Sequence, residues 1–437
     1  MARACIRVVV AGLGCLVIAA SAGAQTSAYL PLGPGVPVEE TPTTGLHTHK
    51  VGVACRGADD LSLVVWWNIS SGSIESRLFL GQDPLGGQIQ IGAVGSDRRP
   101  SVRLDGAGSF VAVWISSSDS TVHRRRLDGT TLTWGPELVI ARPGARSTSL
   151  GPDGGFAVTW VEDTLLKGQR YDPAGTPLGQ AFEVVWPTHD PLTWDNAVGR
   201  ESVLISDGGA PTLVWATSAT RYSNGDSYTS IRAQRIDPGG NTVGPPIVIA
   251  NAFAPFLGAI WEWVTDPRAG DDGGGGFFVL YNDGYWDNDS AIEWDRVRAS
   301  RYSADGNPLL SNVFVTSPES QYLAQRGLAA RANGDFMAMW SGTATWSDLF
   351  ACRYPAAGPD CDPEFQVSDH RLVYGTDHTD VAYCGSTSDI TAVWVSDDCG
   401  GGGTSYCLWA RWFGSSPEIF ADDFETGGLS TWSIVVP

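Results

Sequence analysis

Seven times along this chain an apolar strand ends in a large aromatic residue, and a second strand carrying an arginine follows. The first strand reads SLVVW to Trp66, FVAVW to Trp114, FAVTW to Trp160, PTLVW to Trp215, FFVLY to Tyr281, FMAMW to Trp340 and ITAVW to Trp394. Its partner supplies Arg77, Arg126, Arg170, Arg235, Arg301, Arg353 and Arg411. A unit of strands without helical period, recurring every roughly 45 to 65 residues, is the pattern of propeller blades. Seven equivalent aromatics and seven equivalent arginines read as a packing framework rather than as seven active sites.

The second unit shows four strands: A is PSVRL (Pro100 to Leu104), B is FVAVW, C is VHRRRL (Val122 to Leu127) and D is PELVIA (Pro136 to Ala141). Turns between A and B use Asp105-Gly106, Asp153-Gly154, Asp207-Gly208 and Asn333-Gly334, residues that tolerate positive φ in tight hairpins. The blades fall at about residues 46–92, 97–143, 145–186, 198–250, 262–316, 325–369 and 379–413. The last lacks a strand D, and PLGPGVPVEE (Pro31 to Glu40) matches the approach to strand D in unit three, PLGQAFEVV (Pro177 to Val185). The reading is therefore an all-β, seven-bladed β-propeller of four-stranded antiparallel blades, closed by an N-terminal strand that removes exposed edges.

Arg3 and Arg7, the apolar run Val8 to Ala20 and Ala22-Gly23-Ala24 read as a signal peptide over residues 1–24, ahead of a propeller at 25–416 and a tail at 417–437. The mature chain is expected to be secreted and monomeric. Its remaining cysteines then meet an oxidising compartment, where disulfides are the default. Cys55 and Cys384 hold corresponding strand A positions in units one and seven, which adjoin only in a closed ring. Cys352 with Cys361 and Cys399 with Cys407 read as local staples, though six thiols admit other pairings. A formal net charge of -20 argues against nucleic acid and anionic lipid as partners.

The units DG-x-G-x-FVAVW followed by RRRLDG, and PDGGFAVTW followed by GQRYDPAGTPLG, resemble a repeat of secreted bacterial β-propeller proteins of uncharacterised function. The ending, IFADDFETGGLSTWSIVVP from Ile419 to Pro437, resembles a short C-terminal tail of exported bacterial proteins. The resemblance implies export and a propeller, and brings no catalytic residues.

Short A–B and C–D turns leave elaboration to the B–C loops and D–A crossovers, which share the opposite face. There the sequence places Trp186, Trp194 and Asp195 between units three and four, Tyr228 in unit four, Trp261 and Trp263 before unit five, and Tyr285, Trp286 and Trp294 within it. Flat aromatics interspersed with carboxylates suit a sugar, whose apolar ring face stacks while its hydroxyls find directional partners. A carbohydrate-binding module is the expectation, with a glycan or cell-surface ligand as partner. The alternatives are a polysaccharide-active hydrolase or lyase using two of Asp190, Asp195, Glu262, Asp287, Glu293 and Asp295, and a purely structural surface protein. Asp283, Asp287 and Asp289 are candidate calcium ligands, although their spacing is not that of an EF-hand. His49 and His378, each six residues before a seam cysteine, are candidates for a bridging metal.

Overall fold

The computed structural model describes residues 29–415 apart from 41–42, 45–49, 94–99, 117–120, 163–164, 186–193, 206–210, 224, 256–259, 288–291, 316–323, 332, 342–347, 357, 359, 370–378, 385–389, 397–398 and 400–404. Seven antiparallel sheets follow one another along the chain. In blade 2 they run as read: strand A is Ser101–Leu104, B Phe110–Ile115, C Thr121–Leu127 and D Leu138–Ala141. The A strands touch their neighbours around the whole circuit, with Thr379–Tyr383 of blade 7 against Lys50–Arg56 of blade 1. The ring is closed, and the protein is a seven-bladed β-propeller.

Closure comes from the N-terminal segment. Tyr29–Pro31 pairs with Phe413 to Ser415, Val36–Pro37 with Trp409 and Ala410, and Thr43–Thr44 with Ser405 and Tyr406. This added strand begins two residues before the expected Pro31, because Tyr29 is itself core: its ring is 1% exposed and lies 5.4 Å from that of Phe365.

The seven terminal aromatics of strand B are all buried. Six of them pack into the preceding blade, as Trp66 does on Val393 and Val395, Trp114 on Leu63 and Val65, and Trp394 on Met337 and Met339, while Trp160 lies under Arg142. Strand B is apolar on both faces for this reason, being covered by a neighbour on each side.

The strand C arginines divide. Arg77, Arg301 and Arg411 donate to the carbonyls of Val38 (2.9 Å), Ala356 (3.1 Å) and Gly33 (2.9 Å) and lie near the rings of Phe79, Phe278 and Phe413. Arg126 and Arg353 pair with the A–B turn aspartates of their own blades, Asp105 and Asp335, each at 2.7 Å, and Arg301 also reaches its own turn aspartate, Asp272, at 3.6 Å. Burial pushes the Asp335 carboxyl up, but Arg353, the Ala356 N–H and Asn333 outweigh it and hold the group below the usual carboxylate range.

All three expected disulfides are present: Cys55–Cys384, Cys352–Cys361 and Cys399–Cys407, with Cα separations of 4.6, 5.9 and 5.6 Å. At the seam, the Val53 N–H of blade 1 also donates to Asp380 of blade 7 at 2.9 Å. His49 and His378 lie outside the described residues.

Two blade boundaries differ from the sequence reading. The strands of blade 4 run from Trp194 to Ala254 rather than 198 to 250, and those of blade 5 begin at Ile260 rather than 262. Segments taken as loops and crossovers are in large part extensions of the sheets themselves.

Candidate functional site

Blades 4 and 5 rise above the rest of the ring. Their B strands, Pro211–Arg221 and Phe277–Asp287, continue well past Trp215 and Tyr281, whereas Phe110–Ile115 and Phe336–Ser341 stop one residue beyond their terminal aromatics. Thr, Tyr, Trp and Ile supply the residue types that favour a pleated, half-buried surface. Where each raised part leaves the ring, strand A carries a bulge, between Val198 and Glu201 in blade 4 and between Thr265 and Arg268 in blade 5. Such bulges bend a strand and re-aim its side chains.

The blade 5 register fixes what stands beside what. Trp261 pairs with Trp286 and Glu262 with Tyr285; Trp263 faces Gly284 and Val264 faces Asp283. On the far side Tyr285 pairs with Trp294, Trp286 with Glu293, Gly284 with Asp295 and Asp283 with Arg296. Directly paired residues share a face and successive residues alternate. Tyr281 and Val264 pack on Val214 and Ala216 of blade 4, while Leu280 and Val297 pack on Phe336 and Ala338 of blade 6. Extending that alternation upward, Glu262, Tyr285 and Asp287 belong to the blade 4 side, and Trp261, Trp263 and Trp286 to the blade 6 side. The expected single aromatic-acidic cluster is thus split between two faces by the strand period, which a loop reading could not reveal.

The blade 6 side is a wall of three indoles. Trp261 is 40% exposed, and Trp263 and Trp286 are half-buried. The indole of Trp263 lies across the backbone of Gly284, the one position in the row where no side chain competes for the space. Among the described residues, strand B of blade 6 ends at Ser341 and no strand of that blade continues alongside the wall.

The raised sheet is held firmly at its base. Arg298 pairs with Asp283, donates to the Asn312 carbonyl at 3.1 Å and stacks 4.0 Å over the Phe314 ring. Arg296 lies 5.2 Å over the same ring. Tyr281 donates to the Asn312 side chain at 2.7 Å, and burial pushes its phenol well above the ordinary tyrosine range. On the other flank the Val264 N–H donates to Thr229 of blade 4 at 3.0 Å.

In blade 4, Asn196, Ala219, Tyr228 and Phe253 form one cross-strand row. By parity with Trp215, which packs on Ala157, this row belongs to the blade 3 side. Tyr228 is half-buried and Phe253 48% exposed. Tyr228 therefore stands apart from the blade 5 wall.

Of the other sequence candidates, Trp186, Asp190 and Asp289 lie outside the described residues. Trp194 and Asp195 open strand A of blade 4, paired with Arg221 and Thr220. Of the calcium set, only Asp283 and Asp287 are described, and these two do not converge. Asp283 and Asp287 are four residues apart on one continuous strand, about 13 Å, while calcium needs its oxygens at about 2.3–2.6 Å. Asp283 is moreover taken by Arg298. Among the described residues no group of three or more His, Cys, Asp or Glu side chains is placed to hold a metal ion.

Sequence reasoning missed Gly284 and the Asp283–Arg298–Phe314 lock. The first left a signal, a glycine interrupting an aromatic strand, which often marks close approach of a side chain or backbone. The second left none, since it depends on register.

Comparison with known proteins places the fold. No family model matches the chain. It is similar to the crystal structure of polysaccharide lyase Uly1, at 9% identity over 91% of this chain and 94% of that one, with a TM-score of 0.50. It is also similar to the GH93 alpha-L-arabinofuranosidase of Fusarium graminearum in complex with arabinobiose, at 11% identity over 88% and 98% of the chains, with a TM-score of 0.45. Among curated proteins, the glutathione hydrolase proenzyme of Pseudomonas aeruginosa is 28% identical over 160 residues, covering 35% of this chain and 25% of that protein. The chain thus spans about a quarter of that relative's length.

Proposed function

We propose that the protein is an exported carbohydrate-binding module whose ligand lies against the raised sheet of blade 5. The observation that carries this reading is the wall formed by Trp261, Trp263 and Trp286 on one face of a rigid hairpin. Indoles present broad apolar faces at low conformational cost, which matches the apolar face of a pyranose ring. A platform on strands keeps its geometry better than one on loops. A polysaccharide lyase is built on a similar ring, so the fold is compatible with a glycan polymer.

Export rests on the leader-like residues 1–24, and three disulfides suit an oxidising compartment. No helix among the described residues is long and apolar enough to cross a membrane. The resemblance of the tail at 417–437 to those of exported bacterial proteins supports the same destination.

A glycan array tests the reading. The wild-type chain is expected to bind a subset of glycans, and Trp286→Ala and Trp261→Ala to weaken that binding at least tenfold while leaving the melting temperature within a few degrees. An array without signal, or binding indifferent to both substitutions, removes the proposal.

One observation favours a second reading, a glycoside hydrolase. Glu262 and Asp287 occupy diagonal positions on the blade 4 side, where neighbours lie about 7–8 Å apart. That spacing suits two carboxylates flanking a glycosidic bond. Release of reducing ends by the wild type and its loss in Glu262→Gln is the expected result under that reading; binding without turnover favours the module.

A further inference from the structure

We infer that the rim where blades 7 and 1 meet is the docking surface of this chain's own C-terminal segment, with Ile419, Phe420 and Phe424 covering Leu30 and Leu32. Ser415 is the register partner of Tyr29, and Gly414 that of Leu30, so residues 416–437 set out from beside the first residues of the closing strand. Tyr29 packs on Phe365 of blade 6. Its neighbour Leu30 therefore takes the opposite side, on which Trp412 meets Phe79 of blade 1. The Leu32 N–H donates to the Trp412 carbonyl at 2.9 Å, which continues the same register.

From Gly33 to Glu40 the closing strand is seated on blade 1. The Gln82 side chain lies against Gly33, Arg77 donates to the Val38 carbonyl at 2.9 Å, and the Glu40 N–H donates to Gln88 at 3.3 Å. Ahead of Gly33 the strand stands clear, with Leu30 and Leu32 44% and 60% exposed. The C–D turn of blade 1, which carries Gln82, adds Leu80 and Leu85, both also exposed. Leu78 packs with Phe110 of blade 2. Leu80, two residues on, and Leu85, whose N–H donates to the Leu78 carbonyl, thus stand on the far side of that hairpin. Single exposed leucines are ordinary, but two pairs astride one hairpin make an apolar edge.

The segment beyond Ser415 matches this edge in order and in reach. It carries Ile419, Phe420 and Phe424, then Gly427-Gly428, then Leu429 and Trp432. Ile419 is four residues past Ser415, about 13 Å of extended chain, and Leu429 is fourteen past it, about 46 Å. The first cluster is long enough to cover Leu30 and Leu32, and the second to cross the hairpin to Leu80 and Leu85. Contact is through side chains, because Pro31, Pro34 and Pro37 remove donors from the closing strand and disfavour a further strand beside it. Tethering favours this occupant over a second copy. A linked segment is present at about millimolar effective concentration, whereas a second copy brings one chain of formal net charge -20 against another.

Site-directed photo-crosslinking in the full chain tests the docking, with a benzophenone-bearing phenylalanine analogue at position 420. Intramolecular crosslinks to residues 29–33 are expected in the monomer fraction at every protein concentration. Leu30→Ser combined with Leu32→Ser should cut their yield at least fivefold; both side chains are exposed, and thermal melts confirm the fold. In the full chain, Phe420→Ser combined with Phe424→Ser should raise the binding of an apolar reporter dye several-fold, and adding the two leucine substitutions should bring it back down. Crosslinks between two copies, crosslinks to other blades, or a yield indifferent to the leucines overturn the inference. Dye binding that the phenylalanine substitutions leave unchanged overturns it as well.

Discussion

The indole of Trp263 rests on Gly284 of the neighbouring strand, in space that a Cβ at residue 284 would occupy. A glycine inside a strand ordinarily costs stability. Here it lets a large ring lie flat and keeps the wall continuous from Trp261 to Trp263. Gly284→Ala should displace the indole, weaken glycan binding about tenfold and cost about 1–3 kcal/mol of stability through overpacking. Paired binding and denaturation curves check both effects; unchanged binding means the ring position is irrelevant to the ligand.

The seam disulfide should contribute more than the local ones. Cys55–Cys384 closes a loop with a sequence separation of 329, against 9 for Cys352–Cys361 and 8 for Cys399–Cys407. Loop-closure entropy grows with the logarithm of loop length, so removing the seam pair should cost about 3–5 kcal/mol and a local pair about 2–3 kcal/mol. Chemical denaturation of Cys55→Ser/Cys384→Ser and Cys352→Ser/Cys361→Ser proteins compares them directly.

The added N-terminal strand is the other half of the closure. Tyr29 and Val38 are buried at 1% and 0% exposure, and the Val38 N–H donates to Leu408 at 2.7 Å. A chain lacking residues 25–40 exposes the edge of the strand Ser405–Ser415. Hydrogen exchange should then show lost protection at 405–415 before any other blade, and uniform protection there would contradict the closure.

Much of this architecture could be read from the residues. Repeated wedges such as FVAVW and ITAVW mark the blades because a strand buried on both faces must be apolar throughout. Cys55 and Cys384 betray the ring because their equivalent positions meet only when it closes. The site was harder to read. Trp261, Trp263 and Trp286 were visible as residues, but whether they stood on loops or strands decided which of them share a face. That depends on the bulge at Thr265 to Arg268 and on the pairing of Trp263 with Gly284. The same holds for Asp283 and Asp287, which a loop could bring together and a strand keeps about 13 Å apart.

The turn aspartates predict an acid dependence. Asp335 has a folded-state carboxyl held below its unfolded range by Arg353, the Ala356 N–H and Asn333, against the opposing pull of burial. A depressed pKa contributes stability that is present above the unfolded value, about 4, and is lost as pH falls through the folded one. Asp335→Asn should therefore be less stable than the wild type at pH 7, with the difference narrowing below about pH 4. Denaturation midpoints measured from pH 7 to pH 2 follow the two curves, and a gap that stays constant contradicts the assignment.

The measurement that bears most directly on the central claim is hydrogen exchange of the wild-type protein with and without a saturating bound glycan. A ligand on the blade 5 wall predicts added protection confined to residues 260–265 and 282–287 and to the paired strand beginning at Ile292. Protection that appears instead on blades 1, 2 or 7, with these segments unchanged, would contradict the account.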